Sequence, residues 1–191
     1  DHNVLSAMEL VPRKMFVEQS FIREAYKNIP LPIDCGQTIS QPYVVAYMIS
    51  CLNLKNTDQV LEIGTGTGYQ TAILSNLCRH VVTIERFRKL YNQAKKNIEK
   101  LEIKNVSLQL GNGFRGYKSN FLFDAIIISA ASEVIPNALL KNLKNNGCLI
   151  MPKKYLSEKQ KLLLIKKNYE NYTEDVLFDV KFVPFLNKDI E

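Results

Sequence analysis

The stretch "VLEIGTGTGYQ" (60–70) runs from an apolar strand into the start of a helix. Glycine stands at three alternate positions, Gly64, Gly66 and Gly68. Glycines there permit positive φ angles and let a ligand approach the backbone at the carboxyl end of the strand. A dinucleotide fingerprint needs glycine where this chain has Tyr69, and no Gly-Lys-Ser/Thr triplet of a P-loop follows. The stretch therefore favours a nucleoside site over an NAD site or a P-loop.

Strands and helices alternate after this loop. Apolar or β-branched runs predict the strands, and segments with helical spacing lie between them. We predict strands at 59–64, 80–85, 106–110, 123–129 and 148–152, with helices at 70–77, at 88–101 and after Pro136. This alternation predicts an α/β, Rossmann-like fold with a mostly parallel sheet and helices on both faces.

The two ends of the chain complete one domain. Segments 161–167 and 175–185 are separated only by a polar turn, which predicts a C-terminal antiparallel hairpin at one end of the sheet. Helices broken by the proline-rich stretch 30–43 are expected in an N-terminal substrate-binding segment. The 191 residues contain no repeat or linker, so we expect a single domain. Its predicted parts are the N-terminal segment (1–55), a cofactor-binding core (56–152) and a hairpin with its tail (153–191).

Composition limits the partners. The net charge is +6, but the lysines are spread without interleaved aromatic residues, so we expect no nucleic-acid partner. No apolar run reaches the roughly 18 residues of a membrane span and no secretory pattern is visible, which predicts no membrane association. The four cysteines form no C-x-x-C pair and the two histidines are not spaced with them, which predicts a reducing, cytoplasmic setting and no metal site. We also expect a monomer.

Acidic and amide side chains follow the same strands as the glycine loop. Glu85 lies 21 residues after Gly64, where a carboxylate can accept both hydroxyls of a ribose. We expect Glu62 near a cationic end of the ligand, Asn112 at an adenine amino group and the Gly113 N–H at a ring nitrogen. This set suits a nucleoside without phosphates, such as S-adenosylmethionine. The predicted cofactor-binding residues are Glu62, Gly64, Thr65, Gly66, Gly68, Glu85, Arg86, Asn112 and Gly113.

Four motifs and a lead-in resemble the protein-L-isoaspartate O-methyltransferase family in order and spacing. They are "VPRKMFV" (11–17), "LPIDCGQTISQPY" (31–43), "VLEIGTGTGYQTAIL" (60–74), "FDAIIISAASEVIP" (123–136) and "FVPF" (182–185). The glycine loop alone indicates only a class I methyltransferase, whereas "GQTISQP" is specific to the family. The resemblance implies S-adenosylmethionine as methyl donor, S-adenosylhomocysteine as product, and peptides or proteins with L-isoaspartyl residues as substrates. It implies protein repair, in which methylation of the free α-carboxylate initiates return to aspartyl through a succinimide.

The resemblance also implies roles for individual residues. Ser40 matches the active-site hydroxyl, with Thr38 and Ile39 beside it at the methyl-transfer point, and Ala131 and Val183 match positions that line the substrate groove. We further expect the exposed backbone near Val183 to pair with the substrate peptide by strand addition.

Ser40 has two interpretations. As a neutral donor it would hold one oxygen of the acceptor carboxylate, which needs no base because it is already ionised at pH 7. Alternatively, Ser40 would cap the helix that starts at Pro42, since serine before an early proline is a common helix start.

The chain departs from the family pattern at three places. Asn112 stands where the family usually has Asp, which predicts modestly weaker cofactor binding. Lys153 and Lys154 follow Pro152 where the family usually has Val and Gly, at the expected substrate rim. The usual N-terminal helical extension is mostly absent.

Two other functions compete with the family's reaction. A class I methyltransferase acting on a small molecule or RNA would explain the glycine loop, Glu85 and the positive charge, but it leaves "GQTISQP" and "FVP" without a role. A non-catalytic adenosyl-binding protein would be consistent with Asn112 and Lys153.

Overall fold

The computed structural model describes residues 1–118, 121–155, 158–169 and 171–187. Its N-terminal part contains helix α1 (His2–Leu10), the antiparallel strands β1 (Leu31–Ile33) and β2 (Gln37–Ile39), and helix α2 (Pro42–Leu52). Short 3₁₀ helices cover Arg13–Phe16, Gln19–Glu24 and Asp34–Gly36. Asp1 caps α1, because its carboxylate accepts hydrogen bonds from the N–H groups of Asn3 and Val4.

Strands and helices alternate through the core as the sequence predicts. The elements are β3 (Gln59–Ile63), α3 (Tyr69–Ser75), β4 (His80–Glu85), α4 (Arg88–Lys100), β5 (Val106–Leu110), β6 (Phe123–Ile128), α5 (Asn137–Lys141), β7 (Leu143–Lys154), β8 (Gln160–Asn168) and β9 (Asn171–Val180). They form one sheet in the order β5-β4-β3-β6-β7-β8-β9. Pairing is parallel from β5 to β7 and antiparallel from β7 to β9. The α/β fold with a C-terminal antiparallel hairpin is confirmed.

The sheet order reverses beside β3, and this places a crevice at one edge. Ile63 pairs with Ile84 of β4 on one side and with Ile128 of β6 on the other. Three strands therefore end level, and their following residues meet at the same edge. In open parallel sheets ligands bind outside the carboxyl ends of the strands where the order reverses.

Apolar residues fill both faces of the sheet because strands covered on two sides alternate between two cores. Val60 and Ile127 belong to the core under the N-terminal segment, whereas Leu61 and Ile126 belong to the core on the opposite face. Helix α4 buries Leu90, Ala94 and Ile98 on one face. No helix in the described part of the chain is long and apolar enough to cross a membrane.

Three elements differ from the sequence-based prediction. Strand β7 spans Leu143–Lys154 rather than 148–152, and the helix before it ends at Lys141. The proline-rich stretch contains the β1–β2 hairpin, whose three-residue strands are too short to show a period of two. The last strand ends at Val180 rather than at 185. There the Gln160 amide accepts from the Phe182 N–H at 2.6 Å and donates to the Phe182 carbonyl at 3.1 Å. These bonds end the pairing and turn the tail across the sheet edge.

Candidate active site

A cavity that is partly open to solvent lies at the carboxyl ends of the strands. The β1–β2 hairpin and the tail cover it from two sides. Its walls are formed by Ile33, 37–40, Val45, 63–67, Tyr69, Gln70, 84–87, Leu90, 111–113, 129–130 and 183–186. The cavity thus brings the predicted cofactor residues of the glycine loop and β4 together with Ser40.

The glycine loop forms the floor of the cavity. Gly64, Gly66 and Gly68 have φ angles of 91°, 58° and 94°, which residues with a Cβ rarely adopt. Gly64, Thr65 and Gly66 line the cavity, whereas Gly68 starts α3 and approaches Ala94 of α4. The first glycines therefore admit a ligand, and the third allows close helix packing.

Thr67 in the same loop was missed by sequence reasoning. Its side chain is 2% exposed and lines the cavity, and its hydroxyl has no hydrogen-bond partner in the described part of the chain. A buried hydroxyl without a partner costs about 1–3 kcal/mol. The loop thus places a hydroxyl without a partner in the described chain beside the cavity.

Glu85 ends β4 with its carboxylate held by backbone donors. Its Oε2 accepts from the Gly66 N–H at 2.8 Å, and its Oε1 accepts from the N–H groups of Arg86 and Phe87 at 2.8 and 2.9 Å. Burial raises the pKa of Glu85, and these donors together with the Arg86 charge oppose the rise. Three of about four acceptor sites are used. Glu85 lines the cavity, and its assignment to the two hydroxyls of a ribose stays a prediction.

Arg86 follows Glu85 on the same wall of the cavity. Its guanidinium carbon lies 5.0 Å from the centre of the Phe87 ring, within the range of a cation–π contact. The contact places the predicted cofactor residue at the rim of the cavity beside a large apolar surface. Such a surface can pack against a planar base.

Glu62 lies behind the cavity wall rather than at a cationic end of the ligand, because its side chain is fully buried. It accepts hydrogen bonds from the Thr71 hydroxyl and, at 3.0 Å, from the Gln70 amide. The same amide donates to the Ser129 hydroxyl at 3.1 Å, and Gln70 and Ser129 line the cavity. Burial raises the pKa of Glu62 to about 7, against the opposing effect of its hydrogen bonds. Glu62 thus holds the amide of Gln70, a cavity-lining residue that the sequence pattern did not single out.

Asn112 also makes contacts that the sequence did not predict. Its Oδ1 accepts from the Phe114 N–H at 3.0 Å, and its Nδ2 donates to Asn187 Oδ1 of the tail at 3.2 Å. The side chain thus caps a short 3₁₀ helix (Gly113–Arg115) and fastens the tail, so its oxygen already has a donor other than an adenine amino group. At Gly113 an added Cβ would lie 2.4 Å from Ile63 Cγ2, so the backbone can approach the sheet edge only as glycine.

Ser40 lies between β2 and α2 on the cavity wall, with Thr38 and Ile39 beside it. Helix α2 begins at Pro42 and its N-cap residue is Gln41, which makes no side-chain cap bond. The capping interpretation of Ser40 is therefore wrong. The sequence pattern left two possibilities open, because a serine two residues before proline can be the N-cap of the helix or can lie in the turn ahead of it.

The predicted substrate residues Ala131 and Val183 bind each other. The Ala131 N–H donates to the Val183 carbonyl at 2.8 Å, and the Phe185 N–H donates to the Ala131 carbonyl at 2.7 Å. Ala131 is 4% exposed, and Val183 lines the cavity. The Val183 carbonyl is thus occupied by the chain itself, and pairing of a substrate peptide with the exposed backbone near Val183 stays a prediction.

Lys153 and Lys154, at the end of β7, form ion pairs. Lys153 Nζ lies 3.1 Å from Glu174, and Lys154 Nζ lies 2.9 Å from Glu158 and 3.6 Å from Glu133. These pairs balance the positive charge of the two lysines, neither of which lines the cavity. Among the described residues, no group of three or more His, Cys, Asp or Glu could hold a metal ion.

A family model for protein-L-isoaspartate(D-aspartate) O-methyltransferase matches residues 1–190 of the chain. The Vibrio parahaemolyticus protein-L-isoaspartate O-methyltransferase is 45% identical over 190 residues, which cover all of this chain and 90% of the relative. The Parvibaculum lavamentivorans protein of the same name is 45% identical over 188 residues, covering 97% of this chain and 85% of the relative.

Two solved structures share the fold over nearly the whole chain. One is a protein-L-isoaspartate O-methyltransferase with a TM-score of 0.89 and 29% identity, which matches 96% of this chain. This chain spans 61% of that longer protein. The other, from Plasmodium falciparum and described as an enzyme of the same name in complex with S-adenosyl-L-homocysteine, has a TM-score of 0.84 and 28% identity. It matches 98% of this chain and 92% of its own.

Proposed function

The chain belongs to the protein-L-isoaspartate(D-aspartate) O-methyltransferase family, and from that premise we propose how its own residues carry out the family's reaction. The reaction transfers a methyl group from S-adenosylmethionine to the free α-carboxylate of an L-isoaspartyl residue. The methyl ester initiates the return of the damaged residue to aspartyl through a succinimide. The enzyme thus has two ligands to align, a cofactor and a peptide carboxylate.

The cofactor fits the part of the cavity between the glycine loop and the end of β4. Two observations support this placement: the buried Thr67 hydroxyl has no partner among the described residues, and Glu85, which lines the cavity, uses three of about four acceptor sites. We assign Glu85 to a ribose hydroxyl and the loop at Gly64, Thr65 and Gly66 to the methionine part. When bound, S-adenosylmethionine supplies a methyl group on a cationic sulfur.

The Ser40 hydroxyl is the observation that carries the catalytic assignment. Ser40 lies on the cavity wall, and it is not the N-cap residue of α2, which is Gln41. A neutral hydroxyl can donate to one oxygen of the acceptor carboxylate and leave the other oxygen to attack. A lysine or arginine at this place would bind the anion more tightly, but it would lower the nucleophilicity of the carboxylate and repel the cationic sulfur.

No general base is required in this mechanism. A carboxylate with a reference pKa near 4 is ionised at pH 7 and carries no proton to remove. The chain has to orient this group and exclude water from it. Positioning of reacting groups can lower a barrier by several kcal/mol, and a closed cavity strengthens the remaining polar contacts. The β1–β2 hairpin and the tail provide that closure above Ser40.

The other predicted residues shape the two subsites. Asn112 holds the turn after β5 and the tail, so the backbone at Gly113 can border the adenine ring. Ala131 anchors the tail through its two hydrogen bonds, and Val183 presents its side chain to the substrate part of the cavity. Thr38 and Ile39 border the same part and flank the isoaspartyl residue.

The chain acts in this proposal as a cytoplasmic monomer without a nucleic-acid or membrane partner. Its four cysteines are free, which suits a reducing compartment. Lysines at the substrate rim are paired with acids, which reduces the positive field available to a phosphate backbone. Multi-angle light scattering would give one chain per particle, and a dimer would refute that part of the proposal.

Methyl incorporation from labelled S-adenosylmethionine tests the proposed reaction. We expect incorporation into a peptide with one L-isoaspartyl residue and none into the peptide with an aspartyl residue at that position. Total RNA serves as a third substrate, because it separates this reaction from that of an RNA methyltransferase. Equal methylation of both peptides, or methylation of RNA alone, would contradict the proposal. Cofactor binding without turnover would indicate a non-catalytic adenosyl-binding protein.

A further inference from the structure

Arg13 is a buried arginine outside the cavity wall. It begins a 3₁₀ helix (Arg13–Phe16) and is 1% exposed. Its acceptors in the described part of the chain are backbone carbonyls. Nη1 donates to the Ala25 carbonyl at 2.8 Å, and Nη2 donates to the Ser40 carbonyl at 2.9 Å and the Ile29 carbonyl at 3.4 Å. Burial lowers the pKa of Arg13, as expected for a cation removed from water.

Burial of this charged side chain is energetically unfavourable. Its Nε has no hydrogen-bond partner in the described chain, and a buried charge is unfavourable unless several polar groups surround it. The planar guanidinium carries five donors in fixed directions, so one side chain can hold carbonyls from separate segments. An apolar residue of similar volume would fill the same space without this cost. The geometry therefore points to a function beyond filling the core.

The bond to the Ser40 carbonyl fixes the residue that carries the proposed hydroxyl. Ser40 lies outside β2 and α2, so neither element sets the direction of its peptide group. Arg13 supplies that constraint from a segment 27 residues earlier in the chain. Because the side chain of a residue moves with its backbone, rotation of this peptide would move the hydroxyl.

The same guanidinium also contacts the cofactor side of the cavity. Its central carbon lies 5.5 Å from the centre of the Tyr69 ring, and Tyr69 lines the cavity as the first residue of α3 after the glycine loop. Arg13 thus touches both the Ser40 turn and the helix that follows the cofactor loop. Methyl transfer requires a carboxylate on the methyl–sulfur axis, and a displacement of about 1 Å can reduce the rate about a hundredfold.

We propose that Arg13 is a positioning residue for methyl transfer, which sets the Ser40 hydroxyl relative to the cofactor loop. The inference rests on the proposed function, because it assigns Ser40 to the acceptor carboxylate. Arg13 itself lies outside the cavity and touches neither substrate. The lead-in "VPRKMFV" thereby gains a role that its sequence alone did not indicate.

Arg13→Lys tests the proposal, since lysine keeps the charge and the aliphatic stem but lacks the planar fork. We expect turnover on an isoaspartyl peptide to fall at least tenfold, with KM and the dissociation constant of S-adenosylmethionine within about threefold. Arg13→Gln, which removes the buried charge and keeps one donor, should give the same pattern. Val11→Ala is the matched control. It weakens the same buried segment without a polar contact to Ser40, so its turnover should stay within twofold at a comparable loss of Tm.

A double variant shows whether Arg13 acts through Ser40. In the Ser40→Ala background, Arg13→Lys should lower turnover by less than threefold, because the group that it positions is gone. If the turnover losses of the two single variants multiply in the double variant, the proposal is overturned. Unchanged turnover in Arg13→Lys, or an equal turnover loss in Val11→Ala, would also overturn it. If both Arg13 variants stay unfolded with saturating S-adenosylhomocysteine, Arg13 is a folding residue and the proposal fails. Absence of activity in the unmodified enzyme would instead refute the proposed function.

Discussion

Replacement of Glu62 by Gln should remove much of the pH dependence of stability. Glu62 is fully buried between Thr71 and Gln70, and burial raises its pKa from the ordinary 4.5 to about 7. Between these values the folded chain retains a proton that the unfolded chain has lost. The free energy of unfolding therefore falls as the pH rises through this window and levels off above it. Glutamine is isosteric and stays neutral, and its amide can donate to the Thr71 hydroxyl while its carbonyl accepts from Gln70.

The magnitude follows from the pKa difference. At 1.36 kcal/mol per pKa unit, the full rise corresponds to about 3 kcal/mol, of which about 2–3 kcal/mol is lost between about pH 5 and pH 8. Urea unfolding at several pH values measures this loss directly. Over the same pH range the free energy of unfolding of Glu62→Gln should fall by about 2–3 kcal/mol less than that of the unmodified chain. The variant should therefore be the more stable protein at the alkaline end.

The control is Glu9→Gln, which removes the same charge from an exposed position on α1 and should leave the slope unchanged. An equal fall in the free energy of unfolding of the unmodified chain and of Glu62→Gln, from acid to alkaline pH, would refute the raised pKa of Glu62. That result would mean that the buried carboxylate ionises at no cost, and the hydrogen bonds from Thr71 and Gln70 would then outweigh burial.

Three further predictions concern the cofactor subsite. Glu85→Ala should weaken S-adenosylmethionine binding by about 1–3 kcal/mol with the fold retained, and an unchanged dissociation constant by calorimetry would remove the ribose assignment. Asn112→Asp should keep the bond to the Phe114 N–H and lose the donor to Asn187, and its second, charged oxygen could accept from the cofactor. Binding should then strengthen by less than about 1.5 kcal/mol, so loss of binding in the same titration would count against the subsite. Gly113→Ala should destabilise the chain by about 1–3 kcal/mol in urea unfolding, because its Cβ would overlap Ile63, and an unchanged midpoint would contradict that geometry.

The sequence predicts the sheet, the glycine loop and Glu85, because these depend on patterns within one strand and its following turn. Glu85 directly follows a β-branched run, so its place at the sheet edge follows from the strand end. The β1–β2 hairpin could not be predicted in the same way, since its strands have three residues each. Its neighbour Ser40 was ambiguous until the start of α2 was known.

Contacts between distant segments account for what the sequence did not show. Glu62 looks like any residue of a buried strand, and its surroundings depend on Thr71 and Gln70 from the next helix. Arg13 meets Ser40 only after the N-terminal segment folds over the sheet edge. The tail turns at Phe182 because Gln160 binds both its backbone groups. Periodicity carries no information about such partners.

Turnover of Ser40→Ala on an isoaspartyl peptide measures whether the Ser40 hydroxyl holds the acceptor carboxylate. We expect turnover to fall at least tenfold, which corresponds to about 1.4 kcal/mol of lost transition-state stabilisation. The S-adenosylmethionine dissociation constant and Tm should change little, since the hydroxyl caps no helix. The pH–rate profile should keep its form because no base is removed. Turnover within twofold of the unmodified enzyme would contradict the assignment of Ser40 to the acceptor carboxylate.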